Sequence, residues 1–463
     1  MSAWRPTLVV PVESQVRELD AKLLLSCVAA ERGFSVVLGS RAFVHFAVAR
    51  LPRGVYLAKS MRKLSDKMFS ILRDLGHEIA AFDEEALVRF ANPEYHRRRL
   101  SAEAMGRVAV LMAWGEDDAQ AFREFEGYHG APIHVTGNPR MDLLRDELRP
   151  VFKEEADALR ARFGELVLVN TNFGAVNAFV PSLNVMQPAG RDPSQLRPGA
   201  NALGFSAEFA AGLALHKRTI FEAFQSLLPA LCDALPDHTI VLRPHPSEDH
   251  EPWRRAIGAR RNAVVVHEGS VIPWLMAAKA LVHNGCTTAV EAAVVGTPSV
   301  AYQPVTSERF DFHLPNALSE RAFDVSEVAR LVRAAVSGSL PVRDEEERRR
   351  VLERHVAALE GPLAADRMVD VLVGAGFAAA PPPAPSWARH ARGSLRTGLR
   401  TAKKRRNMRN ADHRNSAEFH RHRFPGVTVA SLEARIRRFG RQLGRFQQVR
   451  VLPLSEHVFR VEA

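Results

Sequence analysis

Between Thr7 and Tyr302 the chain twice runs through an alternation of short β-branched segments and longer segments of helical periodicity. Few folds accommodate that pattern. Short apolar strands separated by helices pair in parallel, because each helix returns the chain to the same end of the sheet and covers one of its faces. The first alternation opens with Thr7 to Pro11, continues with a helical pattern from about Arg17 to Arg32, and returns to a strand at Phe34 to Leu38. Gly33 stands between the last two, where a helix C-terminal cap belongs.

The same rhythm continues through Gly54 to Leu57, a helix from about Lys63 to Leu75, Ile79 to Phe82, Val108 to Ala113 and Ile133 to Thr136. A charged stretch with Pro139 and Pro150 then reads as the crossing into a second unit, which puts a domain boundary near residue 150. A new strand, Leu166 to Asn170, starts the second alternation and is followed by the Gly/Pro/Asn-rich loop Asn172 to Gly204 and a helical pattern from about Ala207 to Ala234. Strands at His238 to Leu242, Ala263 to His267, Ala280 to His283 and Ser299 to Tyr302 follow, with helices between them. The expected fold class is α/β, with two successive Rossmann-like domains at 1–150 and 151–377. After them come a proline-rich linker at 378–387 and a basic C-terminal extension at 388–463, part of which folds or docks.

Composition narrows the class. Residues 388–463 hold 19 Lys/Arg against 5 Asp/Glu, so the net charge of +11 belongs to the tail and the rest of the chain is slightly acidic. Cys27, Cys232 and Cys286 lie far apart, which suggests neither a disulfide framework nor a thiolate zinc site. The short apolar run Leu8 to Val12 meets Glu13 too soon for a signal peptide, and no run approaches the roughly 18 apolar residues of a membrane helix. A cytoplasmic protein is expected. No metal site is expected either, since no DxD motif follows a strand and no His/Asp cluster has ligand spacing. With no GxxxxGK[ST] and no GxGxxG after the first strand, kinase, NTPase and ordinary dehydrogenase readings fall away.

In open α/β sheets ligands bind beyond the carboxyl ends of the strands, where helix N-termini point free N–H groups at anions. The stretch HNGCTTAVEAAVVGTPSVAY, His283 to Tyr302, is built that way. Asn284 and Gly285 form a turn that admits close approach to a ligand, and Thr287 and Thr288 begin a helix whose positive end can hold a diphosphate. Glu291 would face the same crevice and accept hydrogen bonds from ribose hydroxyls. Thr288-x-x-Glu291 is also a capping box that needs no ligand. Arg243-Pro244-His245-Pro246 follows another strand of this sheet and presents a guanidinium and an imidazole. The pair could neutralise a departing nucleoside diphosphate, or Arg243 could simply pair with Glu248 or Asp249. His134, His267 and Trp274 lie on or beside apolar runs and read as core or supporting residues.

RPHPSE, Arg243 to Glu248, together with HNGCTTAVEAAVVGTPSVAY resembles the C-terminal domain of GT-B glycosyltransferases and their relatives, the nucleotide-sugar 2-epimerases and the glycerophosphotransferases of teichoic acid synthesis. PVESQVRELDAKLLL, FDEEALV, VTGNPRMD, VNTNFGAVN and the terminal FPGVTVASLEARIRRFGRQLGRF are similar to the bacterial surface carbohydrate biosynthesis proteins. The resemblance runs nearly end to end. It implies two domains facing a cleft, and a metal-independent enzyme without cofactor that takes a nucleotide-sugar donor as substrate. The acceptor would be a glycan or lipid-linked glycan of a capsule, O-antigen or similar polymer. Arg243, His245, Asn284, Gly285, Thr287, Thr288 and Glu291 carry over as donor-side positions. A CDP-polyol phosphotransferase or a 2-epimerase of the same fold stays open, as does a scaffold without catalysis.

A GT-B transferase also needs an acceptor-side base, usually from the N-terminal domain. Glu13 ends the first strand, with Arg17 one turn along to position it, although Glu13 could instead cap the next helix. Asp83, Glu84 and Glu85 follow another strand and could serve as base, bind acceptor hydroxyls or form a solvated acidic turn. Lys59, Ser60 and Asn172 to Asn177 could line the cleft. The basic run Arg389 to Arg409 could lie on an anionic membrane surface, giving a peripheral position at the inner membrane, or remain a solvated linker. Nucleic acid is not expected as a partner, because aromatic residues are not interleaved with the basic ones.

Overall fold

The computed structural model describes residues 4–189, 195–340, 344–410, 413 and 415–463. Part of the Asn172 to Gly204 loop, residues 190–194, lies outside the described residues. The chain divides into two compact units, one of Met1–Leu87, Arg99–Val151 and Glu353–Ala463, the other of Val88–Arg98 and Phe152–Leu352. Six strands come first: β1 Thr7–Val12, β2 Ser35–Ser40, β3 Val55–Ala58, β4 Glu78–Ala81, β5 Val110–Ala113 and β6 Ile133–Val135. Next come β7 Leu166–Asn170, the hairpin β8 Met186–Pro188 and β9 Leu196–Pro198, then β10 Thr239–Arg243 and β11 Ala263–Val265. The remaining strands are β12 Ala280–His283, β13 Ser299–Tyr302, β14 Glu320–Ala322, β15 Arg450–Ser455 and β16 Val458–Glu462.

In the first unit the sheet order is β15-β16-β2-β1-β3-β4-β5-β6. It is parallel from β2 to β6, while β16 runs antiparallel to β2 and β15 antiparallel to β16. Every residue of β1 is buried, as expected of a central parallel strand covered on both faces. The helix Gln15–Glu31 lays Leu19, Leu23 and Leu24 into the core and ends just before Gly33, whose φ of +85° is the left-handed conformation a helix end requires.

The tail is part of this unit. A Cβ on Gly39 of β2 would lie 2.3 Å from the His457 carbonyl oxygen, so only glycine lets the last hairpin close against the sheet. The helix Val429–Leu443 is amphipathic and buries Leu432, Ile436 and Phe439. Arg445 bonds both Glu31 and Asp366, at 2.8 and 3.0 Å. The basic run forms the helix Trp387–Asn407, fastened to the helix Lys63–Asp74 by Arg392 and Arg396 on the Asp74 carboxylate at 2.6 and 3.1 Å.

The expected boundary at residue 377 therefore moves. Glu353 onward clusters with the first unit, because the helix Ala364–Gly374 sets its first amides, of Ala364 and Ala365, on the Asp142 carboxylate at 2.7 and 2.8 Å. Amphipathic periodicity shows that a helix has a buried face but not which sheet it covers. In the same way Val88–Arg98, expected inside the first domain, joins the second, where Phe90 enters a core with Phe209 and Leu213.

The second unit holds a six-stranded parallel sheet in the order β11-β10-β7-β12-β13-β14. Successive β7 residues serve opposite faces: Val167 and Val169 pack with Phe224 and Leu228 of the helix Ala207–Ala234, while Leu166 and Leu168 pack with Trp274, Ala289 and Ala292. The chain leaves β7 towards β10 on one side and later returns to β12 on the other. β7 thus marks the topological switch, and its last residue, Asn170, stands in register between Arg243 and His283.

The helix Trp387–Asn407 rests on the Asp74 contacts. Arg392 and Arg396 hold the Asp74 carboxyl below its ordinary range. Its contribution is complete above the unfolded-state value of about 3.9 and is lost as pH falls through the lowered folded value. We expect Asp74→Ala to cost about 1–3 kcal/mol at neutral pH, read by denaturant melts, and to speed tryptic cleavage within 389–406.

Candidate functional site

The loops beyond β7, β10 and β12 converge around Asn170, Arg243 and the turn Asn284–Gly285, all in the second unit. Gly285 has φ +80°, the left-handed region that a side chain disfavours. Its N–H donates to His283 Nδ1 at 3.0 Å, which leaves the ring proton on Nε2, and Nε2 donates to Ser319 Oγ at 2.8 Å. Burial pushes the His283 pKa down to about 3, so the ring stays neutral and the turn keeps its acceptor at physiological pH. Asn284 Nδ2 donates to the Asn172 carbonyl at 3.4 Å and Asn172 Nδ2 to the Gly285 carbonyl at 3.5 Å, which ties the β12 loop to the β7 loop.

The helix Thr287–Val295 starts directly after this turn. Cys286 is its N-cap residue and gives no side-chain cap, so the expected capping box of Thr288 and Glu291 does not form. Thr288 instead accepts a hydrogen bond from Asn170 Nδ2 at 3.1 Å. Glu291 is 5 % exposed and lies within the electrostatic reach of Arg243. Burial pushes the Cys286 thiol up to about 11, which keeps it protonated and poorly nucleophilic at neutral pH.

Arg243 does not pair with Glu248 or Asp249. Its Nη atoms donate to the carbonyls of Glu268, Gly269 and Ser270 at 3.0, 3.0 and 3.4 Å, and its guanidinium lies 5.0 Å from the Trp274 ring centroid. Burial lowers its pKa, and the nearby carboxylates of Glu268 and Glu291 work against that. Arg243 Nε, Asn170 Oδ1 and Asn284 Oδ1 are buried, and among the described residues none of them has a hydrogen-bond partner. Three unsatisfied polar atoms at one switch point, next to a helix N-terminus, fit a polar ligand.

Glu248 holds this region together. It is 0 % exposed and accepts from Phe173 N–H at 2.9 Å, His245 N–H at 3.1 Å, Trp253 Nε1 at 3.1 Å and the Thr171 hydroxyl at 2.9 Å. Its neighbour His245 is half-buried and accepts from Ser247 N–H at Nδ1, at 3.2 Å, which puts its proton on Nε2. Asn177 supports the loop by donating to the Asp249 carbonyl at 2.9 Å.

The acids expected on the acceptor side belong to ion networks of the first unit. Glu13 does not cap a helix; it meets Arg423, Arg41 and Lys59 at 2.6, 2.9 and 3.1 Å. Burial alone would raise its pKa, but those cations hold it well below the carboxylate range, which makes it a weak base. Arg17, expected beside Glu13, instead forms a two-pronged pair with Glu85 at 2.8 and 3.1 Å. The acidic turn is not solvated: Asp83 is 0 % exposed and bound by Arg99, and Glu84 is 2 % exposed between Lys22 and Arg140, each at 3.7 Å. Carboxylates buried this far hold the turn in place. Lys59 is bound in the same network through Glu13 and Glu18, Trp274 is core as expected, and His134 is exposed.

No protein-family model matches the chain, and no curated protein matches it. Solved structures do. The wall teichoic acid polymerase TagF superposes with a TM-score of 0.50 at 10 % identity, over 80 % of this chain and 88 % of that one. S. aureus MnaA with UDP gives 0.46 at 12 % identity over 81 % and 98 %, and Anabaena HepE with UDP and glucose gives 0.42 at 10 % over 80 % and 100 %. The fold is GT-B. Its two parallel α/β sheets, one per unit, are the architecture expected from the alternating strand pattern.

Within this GT-B chain the second unit gathers Arg243, Asn284, Gly285, Thr287, Thr288 and Glu291, with His245 on the neighbouring loop. Asn170 is a site residue that the donor-side motifs do not include. Asn170 carried one usable signal, a polar amide ending an otherwise apolar strand. Glu248 is the test of how the loops are held. Glu248→Gln would set an amide NH₂ against surrounding N–H and O–H donors, and we expect it to lower stability by about 1–3 kcal/mol in denaturant melts.

Proposed function

We propose that this GT-B protein is a glycosyltransferase that moves a sugar from a nucleotide-activated donor to a hydroxyl of a growing surface glycan. The observation that carries the reading is the set of buried, unpartnered polar atoms at the switch point of the second unit, beside Arg243 and a helix N-terminus. In this reading the first amides of the helix Thr287–Val295, the Asn284–Gly285 turn and Arg243 hold the diphosphate. Glu291 accepts from the ribose hydroxyls, and His245 donates from Nε2 to the departing phosphate. Glu13, Asp83 and Glu84 keep the loops of the first unit in place through their cations. Similarity in fold to a wall teichoic acid polymerase fits a role in surface-polymer synthesis. A CDP-polyol phosphotransferase would use the same diphosphate contacts, and a 2-epimerase would turn over without an acceptor, so acceptor dependence separates the readings.

The partner on the acceptor side would be lipid-linked. Among the described residues no helix is long and apolar enough to cross a membrane. The helix Trp387–Asn407 nevertheless exposes Trp387, Leu395 and Leu399, at 84, 64 and 64 %, at spacings that fall on one face, with Arg392, Lys403 and Arg406 around them. Apolar side chains ringed by cations suit the surface of an anionic leaflet, where each near-surface basic residue contributes about 1 kcal/mol.

The donor reading is tested by thermal shift of the full chain against UDP, GDP, CDP, CMP and dTDP. At least one nucleotide should stabilise the protein, and Glu291→Ala should weaken its binding about 10- to 100-fold, the worth of a hydrogen bond to a charged group. No shift with any of the five would overturn it. For the membrane reading, Trp387→Ser/Leu395→Ser/Leu399→Ser should reduce co-sedimentation with phosphatidylglycerol vesicles while leaving nucleotide binding unchanged. Undiminished co-sedimentation would remove the lipid partner.

A further inference from the structure

The helix Ala207–Ala234 brings a second cation to these loops. Lys217 is 4 % exposed, and among the described residues its ammonium has no hydrogen bond and no ion pair. Its Nζ lies 5.0 Å from the centroid of the Phe312 ring. The one carboxylate that acts on it, Asp311, is bonded elsewhere: to His216 Nε2 at 2.7 Å, Ser307 N–H at 2.8 Å and Gln303 Nε2 at 3.5 Å. An ammonium carries three donors, and burying it against an aromatic face with no acceptor is costly. Burial accordingly lowers the amine to about 8, with Asp311 opposing. At neutral pH it remains charged.

Position adds what burial alone does not. The same Phe312 side chain packs on the Asn284–Gly285 turn: a Cβ on Gly285 would lie 3.7 Å from its ring and 3.7 Å from Asn316 Oδ1. That Asn316 oxygen is itself buried and without a partner among the described residues. Lys217 therefore stands one aromatic ring away from the turn that the donor reading assigns to the diphosphate. Arg243 approaches the region from β10, and Lys217 from the helix Ala207–Ala234 by way of Phe312.

We propose that Lys217 is an anion-binding residue of this crevice, donating to phosphoryl oxygens of the ligand held by the Asn284–Gly285 turn. The proposal rests on the donor reading above and extends it to a second, separately held cation. Phe312 keeps the amine in place through its ring face, and Asp311, locked by His216 and Ser307, supplies field without competing for the donors. Lysine meets such an anion as a compact point charge.

The test uses the full chain, the nucleoside diphosphate that stabilises it best, the matching nucleoside, and inorganic pyrophosphate, measured by calorimetry. Lys217→Met replaces the amine with an apolar side chain of similar length that suits the Phe-lined surroundings. It should bind the diphosphate and pyrophosphate about 10- to 100-fold more weakly and the nucleoside as before, with Lys217→Arg retaining part of the affinity. Unchanged diphosphate affinity in Lys217→Met, alongside weakened binding in Asn284→Ala, would overturn the Lys217 assignment and leave the donor site standing. No binding of any phosphate compound by the unaltered protein would overturn both. If Lys217→Met folds poorly, Lys217→Gln carries the same comparison, since a merely structural lysine would not distinguish the diphosphate from its nucleoside.

Discussion

The buried carboxylate of Glu248 is the contact on which the second unit's loops depend. It draws an amide from the β7 loop, an amide from the β10 loop, an indole N–H from the helix Glu251–Ile257 and the Thr171 hydroxyl onto one group. A fully buried carboxylate is tolerable only when its lone pairs are met in this way. Once they are, the backbone between Arg243 and Glu248 has little freedom, and the prolines on either side of His245 remove more. The consequence reaches Asn170, because β7 must end level with β10 for Thr171 and Phe173 to reach Glu248. Burial pushes the Glu248 carboxyl up to about 7 against these hydrogen bonds, and the switch point is set by this buried carboxyl group as well as by strand order.

The first unit solves a different problem with the same means. Four of its carboxylates are matched to basic side chains: Glu13 to Arg41, Lys59 and Arg423; Asp83 to Arg99; Glu85 to Arg17; Asp74 to Arg392 and Arg396. Two of those sets are closed by residues of the tail, Arg423 and the helix Trp387–Asn407. Arginines of the tail and the acids Glu13, Asp20, Glu31 and Asp74 meet on one docking surface of the first unit. Removing one partner of a buried pair costs more than the pair itself contributes, so the tail is bound into the unit although its composition is that of a charged tether.

Much of this architecture was legible in the sequence. The strands and helices delimited in the sequence through Tyr302 fall within one or two residues of their spans, because apolar runs of that length bounded by Gly and Pro admit few alternatives, whereas the helices Arg41–Ala47 and Lys153–Phe163 and the β8–β9 hairpin gave no such signal. The destination of amphipathic helices was not legible. Ala364–Gly374 has the same pattern whichever sheet it covers, and only the Asp142 contact with its first amides decides the matter. Among site residues, Arg243, Asn284, Gly285 and Glu291 stood out because residues after strands are positioned by topology. Glu13 and Asp83 stood out for the same reason and turned out to be ion-paired, since sequence places a side chain at a rim but does not count the cations around it. Lys217 had a signal in hindsight of register alone: it shares the buried stripe of Leu213, Ile220, Phe224 and Leu228, where a charged residue has no packing reason to be.

The two units differ most in how their charges are balanced, and that difference argues for where ligand chemistry resides. In the first unit Glu13, Glu85 and Asp74 are held by cations that depress their basicity and suit them to holding loops, while burial raises Asp142, which backbone amides hold. In the second unit the relation reverses. Among the described residues neither Arg243 nor Lys217 has a carboxylate at ion-pair distance; Glu268 and then Glu291 act on Arg243, and Asp311 on Lys217, through their fields. Buried positive charge without a carboxylate at ion-pair distance stands here beside a helix N-terminus and four buried polar atoms without a hydrogen-bond partner among the described residues, and such an arrangement is costly unless an anion meets it. In the donor reading proposed above, a diphosphate with two charged groups would answer both cations.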